Sequence, residues 1–388
     1  MAKCKKGFFI PVFFVFLLAF FFAGCKEDDK VVYKIVFLLP LGSHELANLA
    51  NDMRYIAGEF YKKKVKDNPV LKEKGVSVEF EYIDTMADAA LTVDRMRAFI
   101  IHNPDILAFM GPVLSRTAIP AGSIAQQVGI PMISSMATHP SVTKNRGYVF
   151  AMLPDNLLQV RALVRFVREN LGVHNAAVVY DPKDDYSRDM ADYFKRIFPA
   201  TGGKISGFFA DSVLDSNVVS SIKSQGVEVV FAPLFGNNLL SVYNILKNSG
   251  FGGTMIGGDS WDSVDESVSN VVDGYFSFFW DGAFYESESA DFFINLSETK
   301  PELKNGFYNT VFCDSLFFLL EGLENMDIPS PKNLRDVLSS YIGGNIRKFA
   351  GILGDYRMDK VGKITGKIYI YKRMGGKDQL VVEIDPLE

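Results

Sequence analysis

Two successive runs of alternating strand-like and helical segments constrain this chain more than any other feature. In the first run, residues 33–39, 76–83, 106–110 and 131–134 carry the branched and aromatic content of strands. Between them, residues 45–64, 87–101 and 115–128 place apolar side chains at helical spacing. Such alternation builds βαβ units around a largely parallel sheet. The rhythm restarts after Pro154, with helices expected at 155–171, 186–198, 217–224 and 238–248. Strands are expected there at 176–180, 205–209, 227–234 and 254–257. The expected fold is therefore α/β, with two doubly wound lobes. The remainder holds a strand at 274–280, helices at 309–324 and 331–341, and a hairpin of 367–371 with 379–384 around Gly375-Gly376. That part is too small for a core of its own and is expected to complete both lobes. The lobes are read as 33–153 plus 283–352 and 154–282 plus 353–388.

The N-terminus has a different character. Lys3, Lys5 and Lys6 precede an uncharged run, residues 7–24, that ends at Phe22-Ala23-Gly24-Cys25. A basic start, an apolar stretch and small residues before a cleavage point make an export signal. Residues 1–24 are read as that signal, and the junction resembles a bacterial lipobox, with Phe22 where leucine is usual. On this reading Cys25 takes a lipid, residues 25–32 form a tether, and the body sits outside the membrane, on the periplasmic side or at the cell surface. Two or more acyl chains suffice for stable anchoring. An uncleaved anchor helix is the alternative, and the lysines put the body on the same side in either case.

The whole chain carries a net charge of −5, and loss of three lysines with the signal makes the body more acidic still. Nucleic acid is therefore not an expected partner. Cys4 leaves with the signal and Cys25 is lipidated, so Cys313 has no partner and is expected in the core. Catalysis finds little support. His44, His102, His139 and His174 form no metal-binding spacing, and neither a P-loop nor a dinucleotide fingerprint is present. Gly258-Asp259-Ser260-Trp261 superficially resembles the nucleophile block of GDSL-type hydrolases, but no histidine follows residue 174. No metal, cofactor or catalytic set is expected, and a single copy is expected to suffice.

The informative features are loops at strand ends, where open parallel sheets bind ligands. Residues 111–117 follow one strand and open a helix, with Ser115 placed to cap it and to offer a hydroxyl to an anion. Residues 134–140 follow the next strand and present hydroxyls and amides without bulky charge, as a carboxylate cradle requires. The other run supplies the opposite polarity. Asp259 follows the strand at 254–257, while Trp261, Phe235 and Tyr186 are candidates to wall an apolar pocket. Asp184 and Asp185 are read as a solvated acidic turn.

In this order the segments GPVLSRTAIPAGSIA, IPMISSMATHPSVT, RGYVFAMLPDN, AAVVYDPKDDYSRDMA, VEVVFAPLF and GGDSWDS resemble the periplasmic leucine/isoleucine/valine-binding proteins, a type I solute-binding fold. The resemblance covers nearly all of 33–372 and implies two Rossmann-like lobes joined by a three-crossover hinge. It further implies that Ser115, Thr138 and the backbone of Met136 and Ala137 hold an α-carboxylate, that Asp259 holds an α-ammonium, and that Tyr186 lines the cleft. Phe235 stands where leucine-type proteins have tyrosine, Asp259 where they have glutamate, and Met136 replaces a small residue. The implied role is capture of an amino acid or similar zwitterion for the membrane permease of an ABC transporter. The rivals are a sensor of the same fold that docks to an envelope protein and an esterase or peptidase.

Overall fold

The computed structural model describes residues 31–262, 270–342, 348–359 and 364–387. The export signal and Cys25 lie outside the described residues. The first sheet contains β1 (Val32–Leu39), β2 (Ser77–Asp84), β3 (Ile106–Met110), β4 (Met132–Ser134) and β5 (Val149–Ala151), in the order β2-β1-β3-β4-β5 and parallel throughout. Strand β1 lies inside this sheet, and Ile35 to Leu39 are all fully buried. Because side chains alternate across a strand, Val36 and Leu38 pack with one set of helices and Ile35 and Phe37 with the other. The helices are α1 (Ala47–Phe60), the short α2 (Pro69–Glu73), α3 (Ala89–His102) and α4 (Ser115–Val128). Helix α4 stops at Gly129, whose φ of +70° only glycine adopts cheaply.

The second sheet is built from β6 (Asn175–Tyr180), β7 (Lys204–Ala210), β8 (Val229–Phe231), β9 (Thr254–Gly257) and β10 (Gly274–Phe278), parallel to one another. Helices α5 (Asn156–Arg165), α6 (Asp185–Ala200), α7 (Ser216–Ser224) and α8 (Gly236–Asn248) connect or cover these strands. The hairpin read around Gly375-Gly376 forms here. Strands β14 (Ile368–Met374) and β15 (Lys377–Ile384) pair antiparallel, and β14 adds to β10 at the sheet edge.

Between β10 and β14 the chain returns to the first lobe through α9 (Glu288–Thr299), α10 (Phe307–Asn325) and α11 (Pro331–Ser339). Helix α10 is apolar on nearly every side and is buried accordingly. Phe312 reaches Phe37 of β1, and Phe317 packs edge-on against Phe60 of α1. Cys313 is buried on this helix. A small sheet of β11 (Phe349–Gly351), β12 (Gly354–Met358) and β13 (Ile364–Thr365) lies against it. The Tyr356 hydroxyl donates to Asp314 of α10 at 2.7 Å, and Asp314 also accepts from Ser289 and from the Ile352 and Leu353 amides.

This small sheet straddles the lobe boundary read from sequence. A division between 352 and 353 falls inside the β11–β12 ladder, and the chain re-enters the second sheet only after Thr365. The strands are two to five residues long, too short to carry a readable alternation.

Candidate functional site

The loop after β3 approaches β1 closely. Gly111 has φ +93°, and a Cβ there would lie 2.6 Å from the Leu38 carbonyl oxygen, so no larger residue fits. Leu114, not Ser115, occupies the N-cap position of α4 and makes no side-chain cap, and Ser115 is the first helical residue. Its Oγ instead accepts the backbone N–H of His139 at 3.3 Å, joining the loop after β3 to the loop after β4. The expected capping role is thereby replaced by a bridge between the two loops. Ser134 Oγ donates to the Pro112 carbonyl and ties them a second time. Met136, Ala137 and Thr138 are buried, and the Ser135 hydroxyl is enclosed without a hydrogen-bond partner.

In the second lobe Asp259 opens a short turn after β9 and is buried. Its Oδ1 accepts from the Tyr186 hydroxyl at 2.8 Å and from Gln159 Nε2 at 2.9 Å. Burial pushes the Asp259 carboxyl up to about 6, and those two donors act against the rise. The Tyr186 phenol is driven well above its ordinary value by burial and by the adjacent carboxylate. A Cβ on Gly258 would stand 2.2 Å from the Tyr186 hydroxyl, so glycine is needed for this approach. The Phe235 ring lies 5.0 Å from that of Tyr186 and is 40% exposed, as a side chain facing a cleft can be.

Two sequence readings change here. Trp261 does not wall a cleft. It is 0% exposed, its Nε1 donates to the Ala232 carbonyl at 2.8 Å, and its ring stacks on Phe276 against Gly257 and Gly274. It is a core side chain of the second lobe. Asp184 is not a solvated residue either. It is buried, caps α6 by accepting from Ser187 N, and faces Arg116 at 3.4 Å.

Three contacts bring the lobes face to face. Arg116, next to Ser115, reaches Asp184 near the start of α6. His139, next to Thr138, lies 3.6 Å from Asp189 of α6. Tyr308, in the first turn of α10, donates to the Asp259 carbonyl at 3.3 Å. The Ser115 and Thr138 loops are thus set against the helix that carries Tyr186. Gln159, Tyr308 and Ser277 were not singled out from sequence. Gln159 had a readable signal, a polar residue among the apolar positions of α5, whereas the hydroxyls of Tyr308 and Ser277 had none. Among the described residues no cluster of three or more histidine, cysteine, aspartate or glutamate side chains suits a metal ion. No helix among them is long and apolar enough to cross a membrane.

A family model described as "Periplasmic binding protein" matches residues 57–374. The chain belongs to that family. Among curated relatives of this periplasmic binding protein, the Leu/Ile/Val-binding protein BraC3 of Rhizobium johnstonii is 29% identical over 167 residues, 40% of this chain and 43% of that protein. The Leu/Ile/Val-binding protein homolog 3 of Brucella melitensis is 26% identical over 204 residues, 50% of this chain and 52% of that protein. The matches thus span about half the length of these relatives. The leucine binding protein LivK of Thermotoga maritima superposes with a TM-score of 0.78 at 20% identity, covering 91% of this chain and 99% of that one. A solute-binding protein of Rhodopseudomonas palustris, solved with 3,4-dihydroxy benzoic acid, gives 0.73 at 16% identity over 92% and 98%. The α/β architecture with parallel sheets is therefore that of type I periplasmic binding proteins. These relatives and neighbours are solute-binding proteins, not enzymes.

Proposed function

We propose that this chain captures an amino acid or similar small zwitterion between its two lobes and delivers it to the permease of an ABC transporter. One observation carries the reading. Asp259 is a buried carboxylate whose donors among the described residues, two of them, both reach Oδ1, which leaves Oδ2 for a third. A ligand ammonium is the donor that restores the cost of burying this charge, and a charge-assisted hydrogen bond contributes about 1.5–3 kcal/mol. On the facing lobe, Ser115, Thr138 and the amides of Met136 and Ala137 form the cradle for the α-carboxylate. Phe235 and Tyr186 supply an apolar wall for the side chain. The phenylalanine at 235 and the short acid at 259 suit a somewhat larger or different apolar group than leucine-type sites take.

The lobes in this reading are 33–153 plus 283–365 and 154–282 plus 366–388, closing as a hinge. A lipid on Cys25 holds the protein, as a monomer, beside its membrane partner. The names of the Rhizobium and Brucella relatives support the ligand class, and the benzoate-type neighbour defines the alternative to test. The test is a thermal-shift screen of residues 26–388 against amino acids, amides, small peptides and aromatic acids. A ligand that binds only the folded form raises the melting temperature. Amino acids are expected to raise it. Stabilisation by aromatic acids with none by any amino acid overturns the reading.

A further inference from the structure

Gln159 is fully buried on α5 and takes no part in the ligand contacts proposed above. The two ends of its amide are told apart by what they touch. Oε1 lies 3.2 Å from the backbone N–H of Asp259, which can only donate, so the carbonyl end must face it. Ser277 Oγ, from β10, donates to the same oxygen at 3.0 Å. With that end fixed, Nε2 faces Asp259 Oδ1 and must donate to it. The same logic holds on the opposite side. The Tyr186 hydroxyl accepts the Ser260 N–H at 3.4 Å, so its own proton goes to Oδ1. Two donors whose orientations are set elsewhere converge on one oxygen.

We propose that Gln159 is a positioning residue for ligand recognition: held by Ser277 and the Asp259 amide, it commits Oδ1 and so presents Oδ2 alone, as an ionised acceptor, to the ligand ammonium. The role rests on the amino-acid reading of the site. It differs from a packing role because the amide hydrogen bond favours the charged form of Asp259, so its loss changes when that group holds a proton. Among the described residues, the other ionisable groups around Asp259 are Tyr186 on α6, Tyr308 on α10, Asp262 in the same turn, and Arg373 on β14 with its partner Asp378. None of these is altered in the variants below.

The experiment follows the Asp259 carboxyl carbon by NMR across pH in the ligand-free protein, its signal identified by its absence in Asp259→Asn. Binding of L-leucine is measured by calorimetry across the same range. In wild type the Asp259 midpoint is expected near 6. In the near-isosteric Gln159→Met it is expected to rise by about one pH unit or more, as loss of a charge-assisted hydrogen bond requires. L-Leucine affinity should then fall about threefold at pH 6.5, where most of the variant's acid is protonated, and recover at pH 8.5. Gln159→Glu keeps the shape where methionine disturbs folding, and there one carboxyl of the pair should titrate well above the wild-type midpoint. An unmoved Asp259 midpoint in these variants, or an affinity loss equal at every pH, overturns the proposal. Wild-type protein that binds no amino acid at any pH counts against the amino-acid reading, and the carboxyl titration still decides the role of Gln159.

Discussion

The hydroxyl of Tyr308 donates to the main-chain carbonyl of Asp259 at 3.3 Å, linking the first turn of α10 to the turn that carries the buried acid. This bond runs between lobes, so it exists only while they are together. Tyr308→Phe is expected to leave thermal stability nearly unchanged and to raise the ligand dissociation rate. A neutral hydrogen bond contributes about 0.5–1.5 kcal/mol, which corresponds to roughly 2- to 13-fold in affinity. Stopped-flow dissociation measurements would check it, and an unchanged rate would mean that this bond does not hold the lobes together.

Substitution at Asp259 separates binding from folding. Asp259→Asn keeps an oxygen for Gln159 and Tyr186 but turns an amide N–H₂ toward the ligand ammonium. Amino-acid affinity is expected to drop by 100-fold or more, of the order that a lost charge-assisted bond plus a misplaced donor gives. Stability at pH 7 should hold or rise, because a buried charge is removed. Calorimetry and denaturant melts on the same sample give both numbers.

The pH dependence of stability has a definite sign. Asp259 and Asp314 are each pushed to about 6 from 3.8, in both cases first by burial. The folded state therefore favours their protonated forms. The stabilisation from that preference is complete below pH 3.8 and is lost as pH rises through about 6. Each group contributes up to about 3 kcal/mol across that window. Denaturation of the ligand-free protein should show greater stability at pH 5 than at pH 7, with a smaller difference in Asp259→Asn. Equal slopes in the two proteins would place the effect elsewhere.

Asp314 has a different sensitivity. Its Oδ2 accepts from Tyr356 and from Leu353 N, while Oδ1 accepts from Ser289 and Ile352 N. Asp314→Asn leaves two buried donors facing an amide N–H₂, at a cost of about 2–4 kcal/mol. Tyr356→Phe removes one bond and should cost about 1 kcal/mol. Melts of the two variants test that order.

Cys25 carries a prediction of its own. Cys25→Ser should abolish incorporation of labelled fatty acid and shift the protein from the membrane to the soluble fraction. Retention in the membrane by the serine variant would favour an uncleaved anchor.

Strand and helix order was legible because each element had enough residues to show its period. Residues 106–110, 115–128 and 254–257 coincide with β3, α4 and β9, whose apolar spacing is uninterrupted. The three-residue β5 and the small sheet were not legible, since pairing rather than alternation defines them. In the site, Asp259 stood out as an acid after a strand, and the structure gives it a buried network. Trp261 misled because an aromatic near a cleft residue looks the same in sequence whether it points to ligand or core. Only the Ala232 carbonyl and the glycines at 257 and 274 decide between the two. Gln159 showed only as a polar residue among the apolar positions of α5, and nothing in the sequence pointed to its partner, 100 positions away.

Among the described residues, both donors to the Asp259 carboxylate come from the second lobe: Gln159 from α5 and Tyr186 from α6, with Ser277 of β10 fixing the amide behind them. This half of the site is complete before the lobes meet. The order of events follows. On the proposed reading, an incoming amine would settle on the second lobe first, and the first lobe would then close over the ligand's carboxylate. Changing the anion end of the ligand is thus a matter of redesigning two loops, with the cation end left as it stands.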